Sequence, residues 1–470
     1  VIKVIHLPII IAGTSPILSK YLKKMGVYSK VISFYKTFLG YYGDINLDLD
    51  SLSPRERSNK IRNFMSHFLK HDLPKYDIIH IHFLNSLSTG DSFGGWNLSD
   101  QLFYDLKIAK DLGKKIVCSA YGSDVQNISK IVYYQLKFQY PHIDLPYPPL
   151  NNFSQIKKIS ALMSYVDVFV TGTTLINHLP YGYYITMPFD VEFYDSYASS
   201  VDSGRFTILH APSNSFVKGT RFLDQAIEKL RLKYNNFDYI LVKNMPHDKA
   251  ISYYPGFGVA VDQINYDFGL VALEYMYYGR PVICCFRKEE FQPFDAKYNA
   301  PIVSVFNQEE LLEVLEKSIR GEILYNKEDL KSYVLENFAA SLIASKYKEL
   351  YEILIDGGKI PQFVNPNWFA QYQRFLNKEP IDKDNYYSKV TDFLLSQKEL
   401  SLLLVEIQNG FNLASNVELL AKLILAKELL GDHKSASALR NQNASLVASE
   451  AFRSHYERAK EIYQKEVPDP

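Results

Sequence analysis

The groups best suited to chemistry in this chain are a carboxylate, Glu274, and the backbone amides of Phe268, Gly269 and Leu270 just before it. They lie in one stretch, Asp262 to Ile283, which reads as strand, glycine turn, helix, glycine stop and strand. Apolar, β-branched residues run from Gly258 to Ile264, and Leu270, Leu273 and Tyr277 then follow helical spacing from Phe268 to Tyr278. Gly279-Arg280-Pro281 stops that helix, and Arg280 to Phe286 is a second apolar strand. Such a βαβ unit delivers a helix N-terminus to the edge of a parallel sheet. The first amides of the helix lack intrahelical partners, and the helix dipole adds partial positive charge there. A diphosphate suits that place, and Gly269 lets it approach the backbone closely. Glu274 lies more than a turn further in. Helical side chains lean toward the N-terminus, so its carboxylate can reach back and accept hydrogen bonds from a ribose diol. The plainer alternative is a buried crossover helix carrying a solvated glutamate.

A second stretch supplies a cation. Phe206 to Ala211 is a strand, Pro212 to Thr220 a loop, and Arg221 to Leu232 a helix. The loop carries Ser213, Asn214, Lys218 and Gly219.

Together these pieces resemble the retaining glycosyltransferases of family 4. The resemblance rests on His210-Ala211-Pro212-Ser213-Asn214 ending in Lys218-Gly219-Thr220, then Asp262-Gln263, Phe268-Gly269, Glu274 and Gly279-Arg280-Pro281-Val282. It implies the GT-B fold, an α/β architecture of two Rossmann-like domains facing a cleft. It also implies that Lys218 contacts the donor diphosphate and that Glu274 holds the ribose. The donor-side residues are then Gly13, Ser213, Asn214, Lys218, Gly219, Tyr266, Phe268, Gly269, Leu270 and Glu274, with Lys218 and Glu274 catalytic. Two positions depart from the family. Ser213 stands where an arginine is usual, and Tyr266 where the first of two glutamates would fall. On the acceptor side, Tyr121-Gly122-Ser123-Asp124-Val125 resembles the family's His-Gly-Ser-Asp-Val turn, with Tyr121 replacing the histidine. Its alternative reading is a strand-ending turn tied by an aspartate.

Other candidates are weaker. Ile11 to Pro16 is a glycine turn after a first strand, Val1 to Leu7, and Gly13 could approach phosphate or simply turn the chain. Asp48-Leu49-Asp50 mimics a metal-binding DxD, but it sits in a polar connection instead of following an apolar strand, and a hard cation needs several converging oxygens. His80 and His82 share a strand face and have ligand chemistry, yet no Cys, Asp or Glu cluster completes a site, which favours structural histidines. The Tyr- and Pro-rich insertion from Gln126 to Asn152 suits either a cleft cover or surface packing.

Composition narrows the class. A chain of 470 residues has room for several domains. Lys+Arg and Asp+Glu balance at 52 each, which argues against a nucleic-acid partner. Cys118, Cys284 and Cys285 fall in apolar strands, a pattern of a reducing compartment without disulfides. No run reaches membrane-spanning length, so a cytoplasmic protein is expected, with any membrane contact peripheral. The expected organisation is an acceptor domain over 1–195, a donor domain over 196–340, a crossover helix over 341–358 and an all-helical extension over 359–470. The expected partners are a nucleotide-sugar, UDP before GDP, a glycan or lipid-linked acceptor, and another subunit at the helical tail. No cofactor or metal is expected. The rival expectation is a catalytically silent module of the same fold that binds nucleotide or glycan, or scaffolds partners.

Overall fold

The computed structural model describes residues 1–35, 40–89, 102–145, 147–197, 204–256, 258–264, 267–287, 300–377, 384–411 and 416–464. Two parallel sheets organise it. The first is built from β1 (Lys3–Leu7), β2 (Tyr28–Ser33), β3 (Ile45–Asn46), β4 (Ile78–His82), β5 (Lys115–Ser119), β6 (Val168–Thr171) and β7 (Tyr181–Tyr184). A short β13 (Phe363–Val364) joins it antiparallel to β7, giving the order β13-β7-β6-β5-β4-β1-β2-β3. The second sheet contains β8 (Phe206–His210), β9 (Phe237–Leu241), β10 (Gly258–Val261), β11 (Val282–Cys284) and β12 (Ile302–Ser304), in the order β12-β11-β10-β8-β9.

The strand order reverses once in each sheet, between β1 and β4 and between β8 and β10. Crevices outside the carboxyl ends of strands at such reversals are where open α/β sheets bind ligands. The strands read as nearly continuous apolar runs because both faces are covered, as parallel sheets require. Two parallel α/β layers of this kind are the Rossmann-like pair implied by the GT-B resemblance.

Two consecutive helices serve the two sheets. Helix Lys327–Phe338 packs on helix Leu270–Tyr277, which follows β10. Helix Ala340–Ile355 crosses back and buries Ile343, Ala344, Tyr347, Leu350, Tyr351 and Leu354 among Val4, Leu18, Leu22, Ile78 and Val117 of the first layer. Full burial of side chains such as Leu350 and Ile343 contributes roughly 1.5–3 kcal/mol each. The crossover expected over 341–358 is thus carried by the second of two helices, separated by a break at Ala339.

By contact, Val1–Val125 and Lys157–Pro366 form one compact unit, while Gln126–Ile156 and Asn367–Pro470 form a second. In the second unit, helix Ile128–Gln139 packs with helices Asp384–Ser396 and Leu400–Phe411. The Tyr-rich insertion is therefore packing material for the C-terminal helices, and Phe363–Val364 adds a strand where only helix was expected. Leu420, Ala421, Ile424, Ala436 and Phe452 form this unit's core. Leu419 and Leu423 are also buried, whereas Leu430 is exposed, beyond the helix end at Leu429. Lys422 is buried there between Asp392 (2.5 Å), Glu418 (2.6 Å) and the Thr391 hydroxyl (2.9 Å), which compensates its burial.

Candidate active site

The reversal between β8 and β10 gathers most of the candidate donor residues. Gly219 ends the short helix Ser215–Lys218 at φ +72°, and an added Cβ would lie 3.1 Å from the Cβ of Ile264. Only glycine adopts that conformation without strain while letting the loop lie against the end of β10. The Lys218 carbonyl accepts from the Ile264 amide at 3.0 Å, so the lysine is held beside Asp262. His210 fastens the same corner through Val261 O (2.8 Å) and the Thr220 hydroxyl (2.9 Å). Burial pushes its imidazole down to about 4, so it works as a neutral staple.

The groups expected to meet an anion lie together, and the chain's own side chains engage them. Lys218 Nζ lies 3.2 Å from Asp262 Oδ1 and 2.7 Å from Gln263 Oε1. The Gly269 amide donates to Asp262 Oδ2 at 2.5 Å. The Phe268 amide donates to the carboxylate of Asp267 at 2.7 Å. The cation and two of the three amides expected to meet a diphosphate are thus engaged by aspartates, of which Asp262 is only 3% exposed. Asp262 was seen in the sequence as a motif residue, and its role as resident anion was not anticipated. Leu270 opens the helix, half-buried, and Phe268 is buried against Phe286.

Glu274 is not solvated. It is 1% exposed, so the plain crossover-helix reading fails at this residue. Its Oε1 accepts from the Tyr194 hydroxyl and from His247 Nε2 (2.8 Å). Its Oε2 is buried with no hydrogen-bond partner among the described residues. Leaving a buried acceptor unmet costs about 1–3 kcal/mol, more when it is charged. Burial pulls the His247 imidazole down, but the Glu274 carboxylate outweighs it and holds His247 above its ordinary value. Tyr41 closes the group by bonding His247 Nδ1 at 2.9 Å.

That same Tyr41 ring covers Gly13, where an added Cβ would lie 2.4 Å from it. The close approach that Gly13 permits is therefore made by Tyr41, with no phosphate needed to explain the glycine. Ser213 is exposed, and Asn214 caps its helix by accepting from the Val217 amide at 2.9 Å. Tyr266 lies outside the described residues. Arg280 is buried, with its guanidinium on Tyr254 O (2.9 Å) and the Thr207 hydroxyl (2.6 Å), a staple across the layer.

On the other sheet, Asp124 folds back on its own turn and accepts from the amides of Gly122 (2.7 Å) and Tyr121 (3.1 Å). Burial raises its carboxyl to about 6 although these amides pull it down. This is the turn-tying alternative. Tyr121 does border a small pocket, with Thr14, Ser119, Thr171 and Tyr347. Asp48 and Asp50 belong to no metal-ligating cluster among the described residues. The three cysteines are buried, and no disulfide joins them. His247, Tyr194 and Tyr41 were not foreseen, since nothing in sequence spacing links positions so far apart.

The chain matches no protein-family model and no curated protein sequence. Among solved structures it is similar to the catalytic domain of starch synthase IV from Arabidopsis thaliana bound to ADP and acarbose. That match is 12% identical, covers 76% of this chain and 99% of that one, and has a TM-score of 0.47. Sucrose-phosphate synthase from Thermosynechococcus elongatus is 13% identical over 76% of this chain and 100% of its own, with a TM-score of 0.46. The Anabaena protein HepE in complex with UDP is 11% identical over 75% of this chain and 100% of its own, with a TM-score of 0.43. At such identities and scores no functional argument rests on these likenesses. No described helix is long and apolar enough to cross a membrane.

Proposed function

We propose that this chain is a glycosyltransferase that moves a sugar, with retention, from a nucleotide diphosphate donor, UDP foremost, to a glycan or lipid-linked acceptor. The observation that carries this reading is the unpartnered, buried Oε2 of Glu274, little more than one turn behind an anion subsite built from Lys218 and the Gly269 amide. A ribose hydroxyl supplies the donor that this oxygen lacks. The diphosphate exchanges with the Asp262 carboxylate for Lys218 and the amide, so the departing charge meets preformed donors, an arrangement often worth a few kcal/mol. Those donors replace a divalent cation at the diphosphate. The leaving phosphate takes the acceptor proton on the same face of the sugar. Tyr121, Gly122 and Asp124 lie on the acceptor side, with Asp124 holding the turn. The functional division remains acceptor 1–195, donor 196–340, crossover 341–358 and helical extension 359–470. The extension serves a further subunit or a membrane surface, and the protein works in the cytoplasm on surface glycoconjugates.

A second reading, a silent module of the same fold, is favoured by one observation. Asp262 already neutralises Lys218, and Ser213 offers no replacement cation. Release of nucleoside diphosphate from a panel of UDP-, GDP- and ADP-sugars, without added magnesium or manganese, separates the two. Release supports transfer. Nucleotide binding without release supports the silent module, and release only with added cation contradicts the metal-free diphosphate site.

A further inference from the structure

The reversal between β1 and β4 in the first sheet holds three histidines. His6 of β1 pairs in register with His80 of β4, and strand alternation puts His82 on the same face. Their ring centroids lie 4.9, 5.3 and 4.2 Å apart, and one nitrogen from each ring lies within 4.8 Å of the others. All three are buried.

Hydroxyl groups hold His80 and His82 in place. His82 Nδ1 meets the Tyr121 hydroxyl at 2.6 Å. His80 meets the Tyr351 hydroxyl through Nδ1 and the Ser119 hydroxyl through Nε2, each at 2.7 Å, so Nε2 reaches an ion only when Ser119 turns to its other partner, the Tyr347 hydroxyl at 3.1 Å. Such partners fix ring orientation and raise ligand basicity. His6 Nδ1 and His82 Nε2 share a hydrogen bond of 3.0 Å, which an ion bonded to both at about 2.0–2.1 Å would replace. His6 Nε2 is buried with no hydrogen-bond partner among the described residues. Among the described residues it is the one ring nitrogen of the three histidines that can take a ligand without giving up a hydrogen bond.

We propose that His6, His80 and His82 bind one zinc ion at the β1/β4 reversal. Nitrogen ligands without carboxylates suit zinc and not magnesium or calcium, which prefer oxygen. Three ligands leave a fourth position, and Ser119 and Tyr121, which bond His80 and His82, also border a small pocket. This site is separate from the donor diphosphate and does not depend on the proposed transfer.

The test uses the full chain, stripped with chelator, dialysed against limiting Zn²⁺ and assayed for bound metal, with affinity read by competition against a chromophoric chelator. The expected result is one zinc per chain. His6→Gln and His82→Gln lose it with unchanged circular dichroism, and Tyr121→Phe weakens it roughly 10–100-fold. The exposed pair His67 and His71, with rings 4.8 Å apart, is the control, and His67→Gln/His71→Gln leaves the zinc in place. Wild-type chain that takes up no zinc overturns the proposal, whatever the variants do. Zinc that survives His6→Gln/His82→Gln, or departs with the control pair, overturns it equally.

Discussion

Asp262 changes the expected chemistry of the donor site more than any other residue. A carboxylate that accepts from Gly269 N and pairs with Lys218 competes with an incoming phosphate for the same donors. Asp262→Asn keeps the shape and removes the competing charge. It is expected to tighten binding of UDP about tenfold, or roughly 1.4 kcal/mol. Calorimetric titration checks this, and unchanged or weaker binding would show that Asp262 positions Lys218 instead of competing with the ligand. His247 carries a pH dependence. Its pKa is raised in the folded protein, so the stability it contributes is complete below the unfolded value near 6.5 and is lost as pH rises through the higher folded value. Melting temperatures of wild type and His247→Gln should differ most in mild acid and converge in mild alkali; a gap that widens with pH contradicts the pairing. At this scale the sequence placed Glu274 inside the helix after the glycine turn and Lys218 at the end of the loop before Gly219, as observed. It was silent about Tyr194, His247 and Tyr41, which reach Glu274 only through tertiary packing. The same holds for the histidines: alternation paired His80 with His82, but His6 joins them through strand register, which one sequence does not display.

The elements were more legible than the contacts. The strand, helix and strand around Glu274 appear at Gly258–Val261, Leu270–Tyr277 and Val282–Cys284, each shorter than its apolar pattern because the pattern runs into the turns. Gly219 shows what the turns demand. Gly219→Ala is expected to destabilise the fold by about 1–2 kcal/mol, since a Cβ at φ +72° is strained and crowds Ile264. Denaturant unfolding measures this, and a variant as stable as wild type would show that the loop can shift away. The break at Ala339 escaped the apolar pattern because Leu330 to Leu354 stays helical in spacing on both sides of it. The strand Phe363–Val364 escaped because two residues are too few for any period.

Across the whole molecule, the contact pattern gives the C-terminal helices a partner from the middle of the chain. Removing residues after Pro366 strips helix Ile128–Gln139 of the helices it packs against. Such a truncation is expected to keep both parallel sheets and nucleotide binding but to lose solubility, because the faces of Ile131, Val132, Leu136 and Phe138 are left uncovered. Circular dichroism and light scattering check this; a monodisperse truncation would mean that the insertion folds without the tail. The central claim is that Glu274, through its unpartnered oxygen, holds the ribose of a nucleotide donor. Calorimetric titration of wild type and Glu274→Gln with UDP tests it most directly. The account predicts a 1:1 complex that the substitution weakens by roughly 1.5–3 kcal/mol while the fold persists. Equal affinity in a folded Glu274→Gln protein, or no binding of UDP, GDP or ADP by the wild type, would contradict it.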